Sequence, residues 1–159
     1  MSWTTTTTTH ASTTVLPPRG FLLALLAQVP AMVMQWPWQP HLVELAAGVI
    51  LIACGVVMNV WAERLFRSKA TGVCPFSPAT AVVARGPYRV SRNPMYLGLV
   101  AISVGLTLAT GVLSNIGMSA GLAIWLKYAY VLPEEAFMRA RFGAAYDAYA
   151  SRTSRWLLF

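Results

Sequence analysis

Apolar residues dominate three stretches of the chain, and polar clusters separate them. The first runs from Gly20 to about Trp38 and is interrupted by Gln28 and Pro30. Pro is tolerated in a membrane helix when neighbours satisfy the freed carbonyl, and Trp36 and Trp38 suit a membrane–water interface. A re-entrant segment is the alternative for so short a run. The second stretch, Leu42 to Ala62, is clean except for Glu44 and Asn59. Asn59 could face a site or make an interhelical hydrogen bond. The third, Met95 to Leu132, has 38 residues and a single charge, Lys127. At ~1.5 Å per residue it would make about 57 Å of helix, nearly twice the ~30 Å hydrocarbon core. It therefore predicts two helices, with a break near Thr110-Gly111 or at Ser114-Asn115. Gly117 and Gly121 form a small-xxx-small pair that lets the fourth helix pack closely on a neighbour and permits a homodimer.

The polar stretches carry the remaining signals. Residues 1–18 hold eight threonines and end in Pro17-Pro18. They are too poor in apolar side chains to offset ordering entropy, which predicts a disordered tail. No basic n-region frames the apolar run that follows, so a signal peptide is not expected. Glu63 to Asn93 reads as a long polar loop, in which Pro75 and Pro78 preclude a continuous helix. Pro133-Glu134-Glu135 predicts the start of a last helix, since Pro suits the first helical position and acids favour the N-terminal end. Met138, Phe142, Tyr146 and Tyr149 fall on one face of that helix, with Asp147 nearly opposite. An amphipathic helix lying on the membrane or over the loop fits this stripe, and so does plain packing against the spans.

Composition makes this an integral membrane protein, and the apolar runs make it an all-α one. The chain is 57% hydrophobic and 11% charged, with a mean hydropathy of +0.57, whereas soluble domains carry roughly a quarter charged residues. The formal net charge is +7, from 12 Lys+Arg and 5 Asp+Glu. Basic residues that flank apolar spans point to anionic lipid and not to nucleic acid. Spans at about 20–38, 42–62, 95–110 and 112–132 place all twelve basic residues on one side, which the positive-inside rule makes cytoplasmic, with both termini. The expected organisation is a tail, 1–18, and one membrane-embedded domain, 19–159. Cys54 and Cys74 suggest no disulfide framework, and no Cys/His group has metal-ligand spacing. Nucleotide fingerprints and hydrolase triads are missing too.

Two polar elements should meet at the cytoplasmic face. Segment 85–98 combines Arg85, Arg89, Arg92, Tyr88 and Tyr96 with Gly-Pro and Asn-Pro turns. Glu134-Glu135 lies at the other end of the hairpin made by spans three and four. A short hairpin brings its two ends together. Adjacent carboxylates at a membrane boundary need partners or a cationic ligand. Arg139, four residues after Glu135, is one available partner. If the helix runs through Pro133, then Lys127, Glu134 and Arg141 share a face.

Arg92-Asn-Pro-Met-Tyr-Leu-Gly98, a hairpin, Glu134-Glu135 and then Phe142-Gly-Ala-Ala-Tyr146-Asp-Ala-Tyr149 together resemble the integral membrane methyltransferases. That superfamily includes isoprenylcysteine carboxyl methyltransferases and phospholipid N-methyltransferases, and the resemblance covers about Phe76 to Trp156. It implies S-adenosylmethionine as methyl donor at the cytosolic face and a lipophilic acceptor entering from the bilayer. It carries over Arg92, Pro94, Tyr96 and Gly98 from the first motif, and Glu134 and Glu135 from the second. Arg141 and Arg152 match basic positions of the tail. In this reading a carboxylate such as Glu135 holds the donor's ammonium, with the choice between Glu134 and Glu135 open, and Arg92 or Arg89 pairs with its carboxylate. Tyr88 or Tyr96 offers a π face, and Asn93 supplies an amide to the adenine edge. Glu135, Arg141 and Tyr96 are the catalytic candidates. The carboxyl methyltransferases usually read Arg-His-Pro where this chain has Asn93, and the Gly-x-Gly motif of the phospholipid enzymes is missing. The acceptor class thus stays open among a prenylcysteine carboxylate, a phospholipid amine and a small thiol. A sterol-reductase-like relative and a non-catalytic adaptor binding anionic lipid are the competing readings.

Overall fold

A computed structural model describes residues 17–37, 39–68 and 82–157. The expectations for the Thr-rich tail, for Trp38, and for Lys69, Cys74, Pro75 and Pro78 of the loop fall mostly or wholly outside those residues. The described residues are helical, with no strand among them. In chain order the helices are α1 (Pro17–Met34), α2 (Leu42–Ser68), α3 (Pro94–Thr110), α4 (Ile116–Leu126), α5 (Leu132–Phe142) and α6 (Ala144–Ala150). A π turn, Lys127–Val131, joins α4 to α5 without a break.

Local chemistry explains most boundaries. α2 starts where the His41 backbone N–H donates to Glu44 Oε2 at 3.1 Å, a side chain reaching back to satisfy a free donor at the helix start. It has 27 residues and runs past Ala62 to Ser68, into what the polar pattern marked as loop. Ala, Glu, Arg and Leu are good helix formers, and no Gly or Pro stops them there. α3 ends at Thr110 because Gly111 takes the left-handed conformation, φ 69°, which glycine adopts without a Cβ penalty. Ser114 and Asn115 fall in the turn that follows.

Two expectations near the C-terminal end are corrected. Pro133 does not open a separate helix. Its ring removes a donor and crowds the preceding turn, and the wider i→i+5 turn just before it keeps the chain helical. That extra residue also breaks the seven-residue register proposed for Lys127, Glu134 and Arg141. The last amphipathic helix is not one helix either, because Gly143, φ 49°, bends the chain between α5 and α6. The bend brings Asp147 to Arg139 at 2.8 Å and sets the Arg139 guanidinium 5.7 Å from the Tyr146 ring centroid. Arg139 therefore pairs with Asp147 and not with Glu135. The stripe still faces inward, with Tyr146 and Tyr149 buried and Met138 and Phe142 half-buried.

α2 and α3 make the most extensive contact, antiparallel and glycine-lined. A Cβ on Gly55 would lie 2.6 Å from Gly98 O, and one on Gly105 would lie 2.8 Å from Gly48 O. Backbone touches backbone, as small residues allow. Gly117 and Gly121 have nothing within reach of a Cβ. The pair singled out for packing is therefore open, and the packing glycines are others. α4 packs on α3 and α1, with Trp125 over Gly20.

The interior is polar at mid-bundle. Gln28 Nε2 donates to Ser103 Oγ at 2.9 Å, Thr107 Oγ1 donates to Gln28 Oε1 at 3.3 Å, and the Ser103 and Ser119 hydroxyls are 2.8 Å apart. Asn115 Nδ2 adds a bond to Gln28 O at 3.2 Å. All five side chains are buried, while Leu22, Leu26, Ile50, Val57, Met118 and Ile124 are exposed on the outer faces. α2 is long and apolar enough to cross a membrane. α1 and α3 are shorter apolar helices.

Candidate functional site

The turn before α3 is built by its prolines. Gly86–Arg89 forms a short 3-10 turn, in which Pro87 O accepts from the Val90 and Ser91 backbone N–H groups, each at 3.1 Å. Pro94 then occupies the first turn of α3, where its missing N–H costs nothing. Together they bury Tyr88, Ser91, Asn93, Pro94 and Tyr96 and leave Arg89 exposed. From the other side, α5 brings Glu134 and Glu135 to the same place.

The two carboxylates have different environments. Glu134 Oε1 accepts from the Tyr96 hydroxyl at 2.6 Å. Burial pushes the Glu134 carboxyl up to about 7, against the lowering effect of that hydrogen bond. Tyr130 lies alongside, its ring centroid 6.0 Å from that of Tyr96. The Tyr130 hydroxyl is buried and has no hydrogen-bond partner. Burial first, then Tyr149 and Glu134 nearby, push the Tyr88 phenol up.

Glu135 is 4% exposed, and its oxygens are taken. Arg155 forks onto them, Nη2 to Oε2 at 2.8 Å and Nε to each oxygen at 3.1 Å. Asn93 Nδ2 reaches Oε1 at 3.4 Å, and Arg92 Nη1 lies 3.7 Å from the same oxygen. A bidentate guanidinium is the strongest partner a carboxylate finds among side chains. Arg92 Nε is buried and has no partner.

The C-terminal segment is strapped over this turn. The Arg92 backbone N–H donates to Ser154 O at 2.9 Å. Ser91 Oγ and Asn93 Nδ2 both donate to Arg155 O, at 3.1 and 3.2 Å. Tyr149 Oη donates to Tyr88 O at 2.8 Å.

The structure thus gathers Tyr88, Arg92, Asn93, Pro94, Tyr96, Glu134 and Glu135. It does not gather three other candidates. Arg89 points to solvent. Arg141 is exposed, its guanidinium 5.8 Å from the Phe142 ring centroid. Gly98 serves the α2–α3 contact, against Asn59 and Gly55. Asn59 itself bonds back to Gly55 O at 2.9 Å. Sequence reasoning missed Ser91, Tyr130 and Arg155, and read Tyr149 only as part of a stripe. Arg155 gave no periodic signal, and only its charge was visible. Two clefts border the site. One, of about 290 Å³, is polar and lies between Arg92 and residues 150–154. The other, of about 410 Å³, is an apolar groove lined by Leu97, Val100, Ala123, Ile124, Lys127 and Trp156, with Leu157 at its edge. Among the described residues no His/Cys/Asp/Glu group could hold a metal ion.

The sequence profile of a family described as phospholipid methyltransferase matches residues 43–145. The chain belongs to the phospholipid methyltransferase family. The resemblance to membrane methyltransferases drawn from the motifs is therefore borne out, and the family is one of membrane-associated enzymes acting on lipid-type substrates. Tyr88, Arg92, Asn93, Tyr96, Glu134 and Glu135 all lie within the matched region, while Tyr149 and Arg155 lie beyond it. No curated protein and no solved structure matches the chain.

Proposed function

We propose that this phospholipid methyltransferase family member transfers a methyl group from S-adenosylmethionine to a lipophilic acceptor at the cytoplasmic face of a membrane. The observation that carries this reading is the Tyr96–Glu134 hydrogen bond of 2.6 Å. It joins two motifs 38 residues apart in the chain, beside a buried tyrosine hydroxyl with no partner. The residues fit a donor with a cationic sulfonium between its adenosine and a zwitterionic amino-acid part. Tyr96, Tyr130 and Tyr88 provide rings and Glu134 a carboxylate, while Arg92 keeps a buried Nε free for an anion. When bound, S-adenosylmethionine supplies an electrophilic methyl group on a sulfonium. The protein's part is to hold donor and acceptor in line and to keep water out, which alignment-limited displacement requires more than strong acid or base catalysis. Tyr96, Tyr130 and Glu134 would hold a cation by charge and by ring faces. The acceptor's hydrocarbon chain would run in the apolar groove between α3 and α4, with Lys127 near an anionic headgroup.

In this reading residues 19–159 form one membrane domain with four spans and both termini in the cytosol. Outward apolar side chains on α1, α2 and α4 and a polar mid-bundle interior support it. So does the single-sided distribution of twelve basic residues that four spans produce.

The test is transfer of labelled methyl from S-adenosylmethionine in vesicles. One set contains phosphatidylethanolamine, one a prenylated cysteine and one neither. Label entering the organic phase with one acceptor, and not with the vesicle alone, is the expected result and names the class. No transfer to either, with no binding of S-adenosylhomocysteine by folded protein, would overturn it in favour of a lipid-binding adaptor.

A further inference from the structure

The two adjacent carboxylates have different partners, and the motif alone does not say which of them meets the ligand. We infer that Glu134, within a cage of Tyr96, Tyr130 and Tyr88, receives the cationic group of the ligand. Glu135 is instead the anchor of a C-terminal clasp whose other half is Arg155. The inference rests on the methyl-donor reading for the ligand's identity, and on geometry alone for the clasp.

Three observations carry it. First, the anionic valences of Glu135 are filled from within the chain. Arg155 makes three contacts of 2.8–3.1 Å, Asn93 adds one at 3.4 Å, and Arg92 lies at 3.7 Å. A ligand ammonium at Glu135 would have to displace a bidentate guanidinium and meet Arg92 as a like charge. Second, the hydrogen bond found at Glu134 comes from a neutral phenol, Tyr96. A half-buried carboxylate without a counter-charge is costly, so a cation brought by a ligand completes this site. Third, the Tyr130 hydroxyl is an independent polar group beside Tyr96 that the protein leaves without a hydrogen bond. It is 2% exposed, has no partner, and its ring is 6.0 Å from that of Tyr96. Buried polar groups are almost always bonded, and a ring cluster next to a carboxylate is what cationic ligands select.

Arg155 is then a positioning residue. Its main chain accepts from Ser91 and Asn93, and its side chain holds Glu135, which in turn lies against Arg92. The clasp fixes the 91–93 turn and leaves Arg92 Nε without a hydrogen-bond partner. Glu135 and Arg155 act through that turn, not on the ligand.

The experiment uses the full chain in detergent. Calorimetric binding of S-adenosylhomocysteine and S-adenosylmethionine is measured at a temperature well below melting, alongside thermal unfolding. Glu134→Gln should lose at least tenfold in affinity and keep a cooperative melt. Glu135→Gln retains an oxygen that Arg155 can bond, and should lose less affinity while melting earlier. Arg155→Ala should melt earlier and weaken binding severalfold, with Arg155→Lys recovering most of both. A double-mutant cycle should show Glu135 and Arg155 coupled in melting temperature, and Glu134 and Arg155 additive. A larger S-adenosylmethionine loss than S-adenosylhomocysteine loss in Glu134→Gln would place the sulfonium at Glu134, and an equal loss would place the ammonium there. Wild-type affinity in Glu134→Gln, or a larger loss in Glu135→Gln, overturns the assignment. Additivity between Glu135 and Arg155 overturns the clasp. Failure of the folded wild type to bind either compound overturns the donor reading and the role of Glu134 with it. The clasp is still decided by the melting cycle.

Discussion

Burial holds the Glu134 carboxyl protonated up to about pH 7, although the Tyr96 hydroxyl pulls the other way. Between the ordinary value of 4.5 and about 7, the folded chain keeps a proton on Glu134 that the unfolded chain has lost. The stabilising contribution of this group is therefore full below pH 4.5 and is lost as pH rises through about 7. Glu134→Gln stays neutral throughout. Its melting temperature should exceed that of the wild type at pH 8, and the gap should close toward pH 5, as melting curves at three pH values will show. A gap of constant size would mean that Glu134 is ionised in the folded protein. Tyr96→Phe removes the hydrogen bond that favours the charged form, so the same transition should move to higher pH. Cation binding at Glu134 requires the ionised form, and affinity should rise by at most about tenfold per pH unit below the transition.

Among the elements, the α2–α3 pair is the one whose tolerance is most sharply defined. Its axes approach closely because Gly48, Gly55, Gly98 and Gly105 bring backbone against backbone, and a Cβ on Gly98 would lie 2.8 Å from Gly55 O. A carbonyl cannot swing aside as a flexible side chain can. Gly98→Ala should destabilise by about 1–3 kcal/mol, the usual cost of overpacking. Gly117→Ala meets nothing within 4 Å and should be neutral, or stabilising by roughly 0.5–1 kcal/mol from the lower helix propensity of Gly. Unfolding of both variants in the same detergent checks the contrast, and equal effects would contradict the close approach. The motif positions Arg92 to Gly98 thus serve two ends. Asn93 and Tyr96 face the site, and Gly98, on the opposite side of the same helix, sets the distance to α2.

At the scale of the whole molecule, apolar side chains face out and a connected set of amides and hydroxyls lies inside. This arrangement suits a hydrocarbon solvent, where interhelical hydrogen bonds and small-residue packing replace the hydrophobic drive between helices. Gln28 is the hub, bonded to Ser103, Thr107 and Asn115. Gln28→Leu removes the side-chain bonds to Ser103 and Thr107, while Asn115 keeps its bond to the main-chain oxygen, and should cost about 1–3 kcal/mol, measured by reversible unfolding in detergent or bicelles. No loss would mean that the polar set repairs itself with water or local backbone. The sequence alone determined the helical class, the starts of α2 and α3 and the break at Gly111. It also determined the meeting of segment 92–96 with Glu134-Glu135, because apolar run length, glycine and proline chemistry and a short hairpin are local rules. The tertiary structure alone decided that Glu135 pairs with Arg155 and that Arg139 pairs with Asp147. It likewise assigned Gly98 to helix contact, sent Arg89 and Arg141 to solvent, and bent the last helix at Gly143 so that Tyr149 could reach Tyr88. The physical reason is that a charged or polar side chain chooses among partners tens of residues away by distance and direction. Those are set by how backbones approach one another, and no periodicity along the chain records them.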